Sequence, residues 1–166
     1  VSVEETGLSF VENAILKARH AAAASGLPAI ADDSGLCVDA LRGAPGIYSA
    51  RYAGEGASDE DNLRKLLAVL EGKSPAERTA RYQCALVFMR SSHDPSPLIC
   101  QASWEGRITS NRRGTGGFGY DPIFGLADRP LTVAGLPAPE KNLLSHRGKA
   151  LRGLVSQLRE ICPIAL

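Results

Sequence analysis

The sequence predicts an α/β protein in which helices flank a mixed central β-sheet. Three observations carry that reading: apolar residues recur at helical spacing in three separated stretches, β-forming runs lie between them, and two of those runs enclose a dense turn composition. Interleaved helices and strands give an α/β class, and one antiparallel pair among them makes the sheet mixed.

The elements follow in chain order. Ser9 with Glu12 three residues on has the form of a capping box, and Val11, Ala14, Ile15, Ala18 and Ala22 continue at helical spacing, so a helix is expected over 10–24, ended by Gly26. Pro28, Ala29, Ile30 and Ala31 form a short apolar run that stops at Asp32, Asp33, Ser34 and Gly35, which predicts a buried strand running into a polar turn. Ser58 precedes Asp59, Glu60 and Asp61, whose charges suit a helix start, and Leu63, Leu66, Leu67 and Leu70 make one stripe ending at Gly72. Residues 81–90 and 98–108 are rich in β-formers and are separated by Ser91, Ser92, His93, Asp94, Pro95, Ser96 and Pro97, so they pair as an antiparallel hairpin. Ser145 opens a last helix with Leu151, Leu154, Val155 and Leu158 on one face. No repeat, low-complexity segment or long linker interrupts the chain, so residues 1–166 are expected to form a single domain.

Composition narrows the function. The 166 residues carry 19 Lys and Arg against 18 Asp and Glu, a net charge of +1, which supplies no general attraction to polyanions. Neither nucleic acid nor a membrane surface is therefore an expected partner. No apolar run approaches the ~20 residues of a membrane span. The early residues carry Glu4 and Glu5 where an export signal would be basic, so a soluble, cytoplasmic protein is expected. Cys37, Cys84, Cys100 and Cys162 are widely spaced without a CxxC, which suits reduced thiols better than a zinc cluster or disulfide framework. The chain begins at Val1 without Met.

Three groups could carry chemistry. Asp32 and Asp33 at a strand end offer carboxylate oxygens to a hard cation such as magnesium, which takes one or two from protein; a turn-capping pair is the plainer alternative. Glu5, Glu12 and Lys17 lie close upstream. The stretch 114–122 contains G-x-G-x-x-G, but Pro122 follows and no helical period starts there, so it is not a dinucleotide fingerprint. Its glycines with Phe118 and Tyr120 suit a nucleobase pocket, or else a flexible loop with core aromatics. Lys141, His146, Arg147 and Lys149 lie just before and within the first turn of the last helix, where they could hold phosphate or a base carbonyl, or simply be solvated. His20, on a polar helix side, and His93, in a turn, receive no role.

These groups coincide with one family pattern. Glu5-Thr6-Gly7, the run FVENAILK at 10–17, Asp32-Asp33-Ser34-Gly35-Leu36, the run APGIYSAR at 44–51, GGFGYDP at 116–122 and Ser145-His146-Arg147-Gly148 stand in the order found in the inosine triphosphate pyrophosphatase family, the noncanonical purine nucleoside triphosphate pyrophosphohydrolases. The chain resembles a bacterial member across nearly its whole length. That resemblance implies magnesium-dependent hydrolysis of inosine, deoxyinosine and xanthosine triphosphates to monophosphate and pyrophosphate, by a homodimer whose subunits have two lobes around a cleft. It implies Glu5 and Asp33 as magnesium-binding carboxylates, Asp33 as the base for the attacking water, and Asp32, Glu12 and Lys17 as their support. Ser34 would contact substrate, while Phe118, Gly119, Tyr120, Asp121, Lys141, His146 and Arg147 would hold the base and its neighbouring groups.

Two departures accompany it. The family's opening strand and lysine-bearing phosphate loop have no counterpart before Glu5, so part of the triphosphate site and a central strand are expected to be missing. Ala134-Gly135-Leu136 also stands where the family usually shows Ala-Glu-Leu, and residues 125–139 follow the pattern loosely. The rival readings are another magnesium-dependent phosphohydrolase that uses Asp33 as a nucleophile, and a nucleotide-binding module with little turnover.

Overall fold

The computed structural model describes residues 3–161. Four helices, α1 (Phe10–Ser25), α2 (Asp59–Val69), α3 (Ala138–Leu144) and α4 (His146–Ile161), accompany four strands, β1 (Ala29–Val38), β2 (Thr79–Met89), β3 (Leu98–Ile108) and β4 (Phe124–Leu126). The strands lie in the order β1-β2-β3-β4. Neighbours joined as closely as β2 and β3 must run antiparallel, because a parallel pair needs a crossover of a dozen or more residues. β4 pairs antiparallel with β3, Ile108 opposite Phe124. The expected α/β class and hairpin are thus present.

The chain divides into two compact units that are interleaved in sequence: Val1–Ser34, Gln83–Ser103 and Ser145–Leu166 form one, Gly35–Tyr82 and Trp104–Leu144 the other. Three of the four divisions fall inside β1, β2 and β3, and the fourth falls between α3 and α4.

In the first unit β2 is buried continuously from Cys84 to Val87 because helices cover both of its faces. Successive strand side chains point to opposite faces. Ala85, Val87 and Met89 accordingly pack with Ala14 and Ala18 of α1, while Cys84 and Leu86 pack with Cys100 of β3 and with Ala150 and Leu154 of α4. Small alanines on α1 suit this contact, since they let the helix lie close to the sheet at little entropic cost. Gly26 ends α1 in the left-handed conformation, its N–H donating to the Ala22 carbonyl at 2.9 Å. The second unit is built on Leu36, Val38, the Leu63–Leu66–Leu70 stripe of α2 and an aromatic group in which Tyr82 stacks on Phe124 at 4.3 Å.

Two expectations require correction. The apolar run at 28–31 does not turn at Asp32: β1 continues to Val38, because Leu36 and Val38 beyond the polar residues are fully buried and Asp32, Asp33 and Ser34 all find partners. On α4 the buried residues are Ala150 and Leu154, whereas Leu151 and Val155 are exposed. The short β4 and α3 were not foreseen. Cys162 lies outside the described residues; Cys37, Cys84 and Cys100 are free thiols.

Candidate active site

The first unit gathers an acidic centre around one lysine. Lys17, on α1, places its Nζ 2.8 Å from Asp33 Oδ1 and 3.2 Å from Glu5 Oε1. Asp33 is only 8% exposed, and its Oδ2 is buried without a hydrogen-bond partner among the described residues. Burial pushes the Asp33 carboxyl above its ordinary value and the Glu5 charge adds to this, while Lys17 and the Asn13 amide pull the other way. For Lys17, burial lowers the ammonium but is outweighed by Asp33 and Glu5, leaving it raised and charged at neutral pH.

Local structure brings Glu5 to this centre. The Gly7 N–H donates to Asn13 Oδ1 at 2.8 Å, and a Cβ at Gly7 would stand 2.6 Å from that oxygen and 2.7 Å from Glu12 Cβ. Glycine alone lets the segment carrying Glu5 lie this close to the start of α1. Glu12 itself serves the helix: its Oε2 accepts from the Leu8 N–H at 3.0 Å and the Ser9 hydroxyl at 2.7 Å. Asp32 takes a different partner from Asp33. Arg147, in the first turn of α4, donates from Nε and Nη2 to Asp32 Oδ2 at 3.1 and 2.8 Å, and from Nη2 to Ser34 Oγ at 2.9 Å. His146 opens the same helix and is half-buried.

The second unit holds a separate group centred on Asp121, which is 4% exposed. Its Oδ1 accepts from the Tyr82 hydroxyl at 2.9 Å, and its Oδ2 accepts from the Phe118 N–H at 3.0 Å and from Lys141 Nζ at 2.5 Å. Lys141 Nζ also lies 4.5 Å from the centre of the Phe118 ring. Phe118 is 63% exposed, whereas Tyr120 is buried and donates to the Ser49 carbonyl at 2.8 Å. Of the two aromatics expected to face a base, only Phe118 is open; Tyr120 anchors the loop. Gly119 N–H donates to Asp59 Oδ2 at 2.7 Å. Gly117 has φ +74°, and a side chain there would overlap the Asp121 carboxylate.

The structure therefore brings together Glu5, Lys17 and Asp33, then Asp32, Ser34 and Arg147, then Phe118, Asp121 and Lys141. Lys141 takes its partner in the second unit and Arg147 in the first. Lys149 donates to the Ser103 carbonyl at 3.1 Å. Sequence reasoning missed Asn13 and Tyr82. A polar residue inside the apolar stripe of α1 marked the first; an ordinary strand tyrosine gave no signal for the second.

The donor set fits a hard divalent cation. Magnesium needs one or two carboxylates and completes its shell with water and phosphate. Glu5 and Asp33 share one ammonium and leave the buried Asp33 Oδ2 unpartnered, so oxygen capacity remains. Among the described residues no cluster of three or more His, Cys, Asp or Glu forms a complete protein cage.

Together these features define an α/β protein with a buried carboxylate centre and a distinct aromatic–lysine–carboxylate group. The chain belongs to the Ham1 family, whose pattern matches residues 1–157. It is 62% identical over 156 residues to a dITP/XTP pyrophosphatase of Vibrio parahaemolyticus, covering 94% of this chain and 78% of that protein. A dITP/XTP pyrophosphatase of Escherichia coli strain K12 is 58% identical over 158 residues, with 95% and 80% covered. The solved structure of a HAM1 protein from Coxiella burnetii superposes with a TM-score of 0.92 at 51% identity, covering 96% of this chain and 81% of that one.

Proposed function

We infer that this chain is a nucleoside triphosphate pyrophosphohydrolase that converts dITP, XTP and ITP to the monophosphate and pyrophosphate. The observation that carries this reading is the likeness, near 60% over almost the whole chain, to proteins named for that activity on dITP and XTP. The lysine-bridged Glu5–Asp33 pair supplies chemistry of the right kind. Asp33 is the general base: Lys17 holds Oδ1, and Oδ2 is left to accept a proton from water. The water oxygen attacks the α-phosphorus, the bond to the α,β-bridging oxygen breaks, and pyrophosphate leaves. Glu5 and Asp33 would bind magnesium, which when present neutralises phosphate charge and orients the leaving group. Asp32 fixes Arg147, whose guanidinium also orients Ser34; Arg147, Ser34 and His146 are assigned to substrate.

In the second unit Phe118 would stack on the base while Lys141, steered by Asp121, donates to an oxo group. Oxo-purines accept where adenine presents an amino donor, so such a donor discriminates between them. The resemblance further supports a homodimer in the cytoplasm, and the three free thiols suit that compartment. No helix among the described residues is long and apolar enough to cross a membrane.

Pyrophosphate release measured with dITP, XTP, ITP, ATP and GTP tests the reading. The expected outcome is pyrophosphate and monophosphate from the oxo-purines, with ATP far slower. Orthophosphate as the first product, or binding without products, would replace it.

A further inference from the structure

A cavity of about 430 Å³ lies in the second unit, lined by Arg78 from the turn before β2 and by the end of β3 with the segment after it, including Arg107, Thr109, Ser110, Asn111 and Arg113. It shares no residue with either group described above. Its lining contains three arginines and no carboxylate. Thr109 Oγ1 is committed to the Asn111 and Ile123 carbonyls, at 2.8 and 3.2 Å, which leaves the Ser110 hydroxyl and Asn111 amide as neutral donors.

Arg78 is the informative residue. It is 7% exposed, with Nε donating to the Lys73 carbonyl at 3.1 Å and Nη2 to the Leu70 carbonyl at 2.8 Å. Nη1 is buried and has no partner among the described residues. Those bonds satisfy carbonyls left by the end of α2, but they do not neutralise the charge. A buried cation without a counter-ion is costly, and two further like charges around the same cavity add repulsion. Neither Arg107 nor Arg113 forms an ion pair among the described residues, and both are exposed. An anion entering the cavity would relieve all three. Guanidinium forks match phosphate oxygens in pairs, and the volume falls within the ~300–1,000 Å³ range of small-molecule sites.

We propose that this cavity is an accessory anion site for a pyrophosphate group, whether as the free inorganic ion or as the phosphate tail of a nucleotide. The site holds the group through Arg107 and Arg113, over the buried charge of Arg78, with Ser110 and Asn111 completing the donor set, and it involves no bond making or breaking.

The test is calorimetric titration of inorganic pyrophosphate into the full chain in chelator-treated buffer, with the Ser110 and Asn111 amide resonances locating the ligand. Saturable binding that moves those amides, and that weakens at least tenfold in the Arg107→Ala/Arg113→Ala double variant, is expected. Both positions are exposed, and an unchanged melting temperature will confirm that the variant is folded. A parallel titration with deoxyinosine diphosphate separates the sources: tighter binding than pyrophosphate assigns the site to a nucleotide tail, and weaker binding assigns it to the free ion. Undisturbed Ser110 and Asn111 amides at saturation, absence of binding, or equal affinity in the double variant would overturn the proposal.

Discussion

Asp33 is held in a buried position where protonation is favoured, with Lys17 limiting but not cancelling the effect. Because folding raises this carboxyl above 3.8, its contribution to stability is fully present below that ordinary value and is lost as pH rises through the raised one. Lys17, raised above 10.5, contributes throughout neutrality and is lost only as pH climbs through its own raised value. Asp33→Asn removes the first dependence while preserving size. In chelator-treated buffer the melting temperature of the variant, relative to wild type, should therefore rise from acid to neutral pH; a constant difference would show that Asp33 is not perturbed by folding. The same substitution should lower turnover by the ~10²–10⁴-fold typical of a lost general base.

The loop from Gly117 to Asp121 is the element to which base recognition is assigned under the proposed function, and Asp121 holds it from inside. Burial pushes the Tyr82 and Tyr120 phenols up, so both remain donors at neutral pH. Tyr82→Phe would leave Asp121 Oδ1 buried and unpartnered, costing about 1–3 kcal/mol. The expected result is a lower melting temperature and a raised KM for dITP with kcat little changed, read from steady-state kinetics. Gly117→Ala should be worse, since it adds a left-handed backbone penalty to an overlap with the carboxylate. Equal KM values in wild type and Tyr82→Phe would detach this carboxylate from base binding. Legibility at this scale follows the length and context of each element. β3 was readable from end to end because a turn-rich segment precedes it, and α2 because acidic residues follow Ser58 and a leucine stripe runs on to Leu70. β1 was cut short because the polar Asp32-Asp33-Ser34 looks like a turn until Lys17 and Arg147, far away in sequence, are seen to satisfy it. β4 has three residues with Gly125 at its centre, and α3 has seven with Pro139 in its first turn, too little of either for a period to emerge.

For the whole molecule, the carboxylate centre was legible as a set of residues but not as a geometry, because Glu5, Lys17 and Asp33 meet only through the packing of α1 on β2 and the close approach at Gly7. Two lobes were implied only by the family resemblance, and where the chain divides was not legible, since three of the four divisions run through strands whose sequences show no break. That division makes a further prediction. Removing residues 145–166 would strip Ala150 and Leu154 from Cys84, Leu86 and Cys100, exposing that face of β2, and would remove Arg147 from Asp32. Burial of each large aliphatic side chain is worth roughly 1.5–3 kcal/mol, so the shortened chain should lose cooperative melting in calorimetry and bind the apolar dye ANS; a sharp, wild-type transition would show that the first unit does not need α4. The interleaving also has a temporal meaning. A ribosome delivers this chain from its N-terminal side, so Glu5, Lys17 and Asp33 emerge early, yet their unit cannot close until the α4 segment has been released. The second unit has all of its residues available sooner, by Leu144. The unit that holds Glu5, Lys17 and Asp33 therefore completes its packing only after every residue of the other unit has already been released.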